Sequence, residues 1–164
     1  MGSGKTRVGK VLAQSTGWTF LDLDALIVEK TNCSIPEIFS RYGEGYFREL
    51  ETETLREKSS LHQTVLSTGG GLPGREENWK ILERSYLTVY LKCTFNVCYK
   101  RIFGDRNRPL LAQFPDRQSL LALYQKRIPY YERSRVIIDT AHRTPNAIAR
   151  EIVLRARTAD SSQG

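Results

Sequence analysis

The sequence has no run of about 18 consecutive apolar residues, the length a helix needs to cross a bilayer, so a transmembrane helix is excluded. Its first residues carry no basic region followed by an apolar core, so no secretory signal is expected. Cysteine is scarce. Cys33, Cys93 and Cys98 are odd in number and lack zinc-ligand spacing, which argues against a disulfide framework and against a zinc finger. A reducing, cytosol-like compartment fits that usage best. Acidic residues are in deficit: 18 Asp plus Glu against 25 Lys plus Arg leave a net charge of +7. The excess points to an anionic partner, either nucleic acid or a phosphorylated small molecule. Internal repeats and low-complexity blocks are also missing. What is present is ordinary for a globular protein. The 164 residues are 40% hydrophobic and 26% charged, enough for one domain with a buried core.

Four runs read as strands: Trp18 to Leu23, Gln63 to Ser67, Tyr86 to Lys92 and Val136 to Asp139. Helix patterns lie between them. Thr6 to Ser15 places Val8, Val11 and Leu12 on one face, with Gly17 as a stop. Residues 44 to 60 and 116 to 127 give two more. Thr144 is placed to cap a last helix with Pro145 at its first position. Strands alternating with helices predict an α/β fold of three layers, a parallel sheet with helices on both faces. The domain is expected over residues 1–158, followed by a frayed tail over 159–164.

The chain opens on Gly2-Ser3-Gly4-Lys5-Thr6, the closing part of the phosphate-loop pattern GxxxxGK[ST]. Glycines let backbone N–H groups turn inward around a phosphate, and the helix behind them presents its positive end. Lys5 would reach the β- and γ-phosphates of a nucleotide, and Thr6 would place its hydroxyl on Mg²⁺. A flexible glycine-rich segment is the other reading. The helix starting directly after Thr6 favours the phosphate loop.

Asp22 and Asp24 follow the first strand run, and as strand residues they would point the same way. One carboxylate could hold Mg²⁺ through water, and the other could take a proton from a substrate hydroxyl. Helix capping by Asp24 is the simpler alternative. Arg48 and Glu51 are three apart and share a helix face. They make either a surface ion pair or an arginine oriented to grip a carboxylate. Gly69-Gly70-Gly71 marks a flexible loop or a close approach of the backbone to another group. The basic segment from Lys100 to Leu111 reads as a lid that brings an arginine to the transferred phosphate, or as a solvated surface.

Taken together, GSGKT, FLDLD, SIPEIFSRYGEGYFRELE, STGGG, RNRPLL, KRIPYYE, and DT followed by Arg143 and Pro145 resemble the shikimate kinase family, in family order, from Met1 to about Arg157. The resemblance implies ATP-dependent phosphorylation of shikimate at its 3-hydroxyl. It implies a nucleoside-monophosphate-kinase-like fold with five parallel strands, a substrate-binding segment over about 24–60 and a lid over about 103–116. Asp24, Lys5 and Arg108 would be catalytic. Asp24, Arg48, Glu51, Gly70, Gly71 and Arg127 would bind shikimate. Gly2, Ser3, Gly4, Lys5, Thr6, Arg7, Arg101, Arg108 and Arg143 would bind ATP. Thr6 and Asp22 would hold Mg²⁺. The partners are then small molecules, without nucleic acid or membrane, and the chain a cytoplasmic monomer.

In that family the first strand is central to the sheet. Here it and the first loop glycine would fall before Met1. Met1 is therefore expected to be an internal methionine of a longer protein, and in a plastid-bearing source a targeting segment could also lie upstream. Without that strand, two inner edges and an apolar slot should remain. Two alternatives stand beside the kinase reading. One is a kinase of another small hydroxy acid such as gluconate. The other is a catalytically silent relative that binds a nucleotide or a protein.

Overall fold

The computed structural model describes residues 2–103 and 116–161. The expected lid, apart from its two end residues, and Arg108 within it lie outside the described residues. The described chain runs α1 (Lys5–Thr16), β1 (Thr19–Asp22), α2 (Leu23–Thr31), α3 (Ile35–Lys58), β2 (Thr64–Ser67), a 3₁₀ turn (Leu72–Gly74) and α4 (Glu76–Ser85). It continues through β3 (Val89–Lys92), α5 (Phe95–Phe103), α6 (Arg117–Glu132), β4 (Val136–Asp139) and α7 (Pro145–Ser161). None of the described helices is long and apolar enough to cross a membrane.

All four strands are parallel to their partners. Thr19 to Asp22 run beside Thr64 to Ser67, and Val89 to Lys92 beside Val136 to Asp139. Within each pair the C-terminal ends coincide, Asp22 with Ser67 and Lys92 with Asp139. Among the described residues no ladder joins one pair to the other. The described strands thus form two separate two-stranded sheets, which leaves the two inner edges that were expected. Among the described residues, each strand keeps one edge without a backbone partner.

Each pair has its own apolar cluster. Leu23, Ile27, Ile38, Phe47, Leu50, Leu55, Leu72, Trp79 and Leu82 are buried together from α2, α3, the 3₁₀ turn and α4. Val8, Leu91, Val136, Ile138, Ile148 and Ile152 form the second cluster, from α1, β3, β4 and α7. Helix α1 packs on β1, β2 and α7, so it touches both halves.

Several boundaries differ from the sequence reading, each for a local reason. β1 stops at Asp22 because that carboxylate turns to cap α2, accepting from the Asp24 and Ala25 amides at 3.2 and 3.4 Å. Asp24 is therefore in the first turn of a helix. The argument that both acids share a strand face fails, and so does Asp24 as the cap. β3 starts at Val89, because Tyr86 closes α4 by donating its amide to the Leu82 carbonyl. α3 begins nine residues before the expected 44, at a capping box of Ser34 and Glu37. It breaks at Gly43, whose φ of 82° lies in the left-handed region. α7 continues to Ser161, so residues expected in the tail belong to that helix. α4 and α5 were not anticipated.

The 3₁₀ turn and α4 hold the end of the glycine run in place. Asn78 is fully buried, and its side-chain amide donates to the Leu72 carbonyl at 2.8 Å. Asn78→Ala removes the shorter of the two bonds to that carbonyl and leaves it the Arg75 amide at 3.4 Å. The expected cost is about 1–3 kcal/mol of unfolding free energy, read as a lower urea midpoint with an unchanged slope. An unchanged midpoint would mean the bond contributes nothing.

Candidate active site

The strand ends bring the two halves of a site together. On one side lies the Gly2-to-Thr6 loop. Gly4 is the N-cap of α1 at φ 90°, and no side chain caps the first helical amides. Those N–H groups stay available to an anion, at the positive end of the helix. Gly2 is held at φ 65° against α5, where a β-carbon would lie 2.7 Å from the Cys98 carbonyl oxygen. Only glycine suits both the backbone angle and the space. Arg101 on α5 donates to the Gly2 carbonyl at 3.3 Å and lies 3.8 Å from Cys93 Sγ. It is thereby brought to the loop. Lys5 is the first residue of α1, with Thr6 and exposed Arg7 beside it and Ser3 in the bend before.

Thr6 Oγ1 donates to Asp22 Oδ2 at 3.2 Å. This contact links the phosphate loop to the end of β1. A hydroxyl and a carboxylate are hard oxygen donors, too few for a complete protein cage. That donor set suits Mg²⁺, which keeps several waters and takes the rest of its ligands from phosphate. No cluster of three or more His, Cys, Asp or Glu able to hold a metal is found among the described residues.

The other half is built around Glu51, whose side chain is 1% exposed. Its Oε2 accepts from Arg48 Nη1 at 2.6 Å. Its Oε1 has no hydrogen-bond donor among the described residues. A β-carbon on Gly69 would come within 2.7 Å of that Oε1 and 3.0 Å of Asp24 Oδ1. One on Gly71 would sit 2.7 Å from Cζ of Arg48. The glycine loop is thus pressed between two carboxylates and a guanidinium, and side chains there would fill the site. The glycine run reflects close approach, as one of the two readings expected. Glu44 holds the far edge of Arg48, accepting from Nε at 3.2 Å and Nη2 at 2.8 Å. Arg127 on α6 lies near enough to act on the charge of Glu51 and on Tyr131. Tyr131 donates to the Gly70 carbonyl at 2.7 Å.

Burial pushes the Glu51 carboxyl up; Arg48 opposes the shift and Asp24 reinforces it, and the net direction is upward. Burial pulls Arg48 down, but Glu51 and Glu44 outweigh it and hold the guanidinium above its usual value.

The structure gathers Asp24, Arg48, Glu51, Gly70, Gly71 and Arg127 at one loop, and Gly2 to Thr6, Asp22 and Arg101 at the other. Arg143 is held just past the end of β4. It binds Glu151 at 2.5 Å and the Asp139 and Ala147 carbonyls at 3.3 and 3.4 Å, fastening the start of α7. Gly69, Glu44 and Tyr131 were missed by sequence reasoning. Gly69 was there in the glycine run. Glu44 and Tyr131 each sit one helical turn from a singled-out arginine, a spacing that could have flagged them.

A family model described as shikimate kinase matches residues 1–157. A shikimate kinase of Geobacter sulfurreducens is 43% identical over 157 residues, 96% of this chain and 87% of that protein. The structure of shikimate kinase from Acinetobacter baumannii in complex with shikimate superposes with a TM-score of 0.91 at 36% identity. The match covers 97% of this chain and 89% of that one. A gluconokinase from Sinorhizobium meliloti is 19% identical with a TM-score of 0.60, covering 99% of this chain and 91% of that one; it shares the fold alone.

The raised Glu51 carboxyl sets a sign for stability against pH. Between the ordinary carboxylate range and the Glu51 value, the folded chain holds a proton that the unfolded chain has released. Unfolding then binds fewer protons, so stability falls as pH rises through that window. Urea unfolding across mildly acidic pH should show this decline, and Glu51→Gln should flatten it. A slope identical in both proteins would mean Glu51 ionises normally.

Proposed function

The chain belongs to the shikimate kinase family and is an ATP-dependent kinase of shikimate; we propose that it acts at the 3-hydroxyl, through the residues gathered at the two loops. One observation carries the residue assignment: the Asp24 and Glu51 carboxylates converge on Gly69 while the Arg48 guanidinium lies against Gly71. A cationic clamp and hydroxyl acceptors in one cleft suit a small hydroxylated carboxylate.

In this reading Arg48 and Arg127 take the substrate carboxylate, Arg48 as a planar fork held from behind by Glu51. The Gly70 and Gly71 backbone lies along the sugar-like ring. Asp24 accepts the proton of the 3-hydroxyl as that oxygen bonds to the γ-phosphorus and the bond from phosphorus to the leaving ADP oxygen breaks. Lys5 and the first amides of α1 hold the β- and γ-phosphates, and Arg101 and Arg143 lie toward the adenine. Thr6 and Asp22 would hold Mg²⁺, which when bound offsets the charge of the phosphates. Arg108 would add a further positive charge from the lid. Phosphoryl transfer needs chiefly positioning and charge neutralisation, and these residues supply both. The +7 charge then serves two anionic substrates. Three unbonded cysteines fit a reducing cytosol, and we propose a monomer there.

The test is ADP release from MgATP with and without shikimate. Release should depend on shikimate, with gluconate inert in its place. Asp24→Asn should lower kcat by about a hundred- to ten-thousandfold, the range for loss of general base catalysis. Release indifferent to shikimate, or an undiminished Asp24→Asn rate, would sink the assignment.

A further inference from the structure

We infer that Tyr131 is a positioning residue for the shikimate subsite, setting the height of the glycine loop against the Arg127 side of the cleft. The inference rests on the shikimate reading above. Its first support is a bond that spans the site. The Tyr131 hydroxyl, on α6, donates at 2.7 Å to the carbonyl of Gly70, in the loop after β2. The loop has no side chains of its own with which to anchor itself. Asp24 and Glu51 crowd it at Gly69, and Arg48 crowds it at Gly71. Those contacts limit how far the loop can move toward α2 and α3. The Tyr131 bond ties it to α6.

The second support is the helix that carries it. Tyr131 lies one turn beyond Arg127, so both project from the same face. A shift of that face moves the carboxylate-binding arginine and the Gly70 carbonyl together. Pro129 stands between them inside α6 and removes a helical N–H at that turn. The Tyr131 ring is itself braced, tilted against Tyr90 with centroids 5.2 Å apart. Burial raises the phenol above its ordinary value, and Arg127 opposes the shift without reversing it. The phenol therefore stays a donor through neutral pH.

Tyr131→Phe keeps the ring and removes the donor. One hydrogen bond of ordinary strength corresponds to a three- to tenfold change, so KM for shikimate should rise by about that factor. KM for ATP should stay within about twofold. Tyr124→Phe is the control. Its hydroxyl makes a comparable bond from α6, to the Cys93 carbonyl at 2.6 Å, away from the glycine loop. It should leave KM for shikimate unchanged. Partial misfolding lowers the active fraction, and so the apparent kcat, without moving either KM. The split between the two KM values thus stays informative for a destabilised variant. An unchanged shikimate KM in Tyr131→Phe, or an equal rise in both KM values, would overturn the inference. So would the same shikimate effect in Tyr124→Phe. Wild-type protein without shikimate-dependent ADP release would overturn the functional reading itself, and this inference with it.

Discussion

Glu51 is a carboxylate removed almost wholly from water, and the glycine-loop side of the fold is arranged around the cost of keeping it there. Burying an ionised carboxylate is unfavourable unless a partner compensates. Arg48 compensates from the same helix face at 2.6 Å, and Glu44 steadies the other edge of that guanidinium. The pair can sit so deep because the facing loop has no side chains. At Gly69 and Gly71 any β-carbon would collide with one member of the pair or with Asp24. The glycines are therefore a consequence of the ion pair. The cleft they leave open is bounded by charge of both signs.

The opposite side, around Gly2 to Thr6, rests on a different device, the uncapped N-terminus of α1. Its amides are left open to an anion, and Gly2 and Gly4 bend the chain so that they converge. The two sides meet at Asp22. This residue ends β1, caps α2 and accepts from Thr6, so one carboxylate sets where Asp24 begins its helix and where the phosphate loop stands. The shared registers of the strand pairs then put both loops at the same end, as ligand sites in open parallel sheets require. Among the described residues no ladder joins the two strand pairs, and helix α1 lies between them. It contacts the strands of one pair and the helix packed on the other.

Much of this was legible in order. The four strand runs were found within a few residues of their observed ends, because β-branched and aromatic runs bounded by turn residues leave few other options. α1 and the start of α7 were legible from Gly17, Thr144 and Pro145, which act through their own backbone angles and side-chain oxygens. α4 was not, although Trp79 and Leu82 are buried on one side of it, because the stretch is short and mostly charged. Asp22 and Asp24 were singled out correctly as acids and misplaced as a strand pair. The capping preference of the first carboxylate ended the strand sooner than periodicity implied. The pairing of Arg143 with Glu151, eight residues on, was not read from the sequence.

By itself, then, the sequence determined the four strands and their order, several of the helices between them, the glycine-rich loop before α1 and which charged residues stand out. These follow from local chemistry: glycine angles, proline geometry, capping oxygens and side-chain charge. The tertiary structure decided which of them meet. Nothing local tells Tyr131 to reach Gly70, 61 residues away in the chain, or tells Glu51 that Gly69 will face it. Those contacts depend on how helices from distant segments pack on the strand ends, and packing is set by the whole core at once.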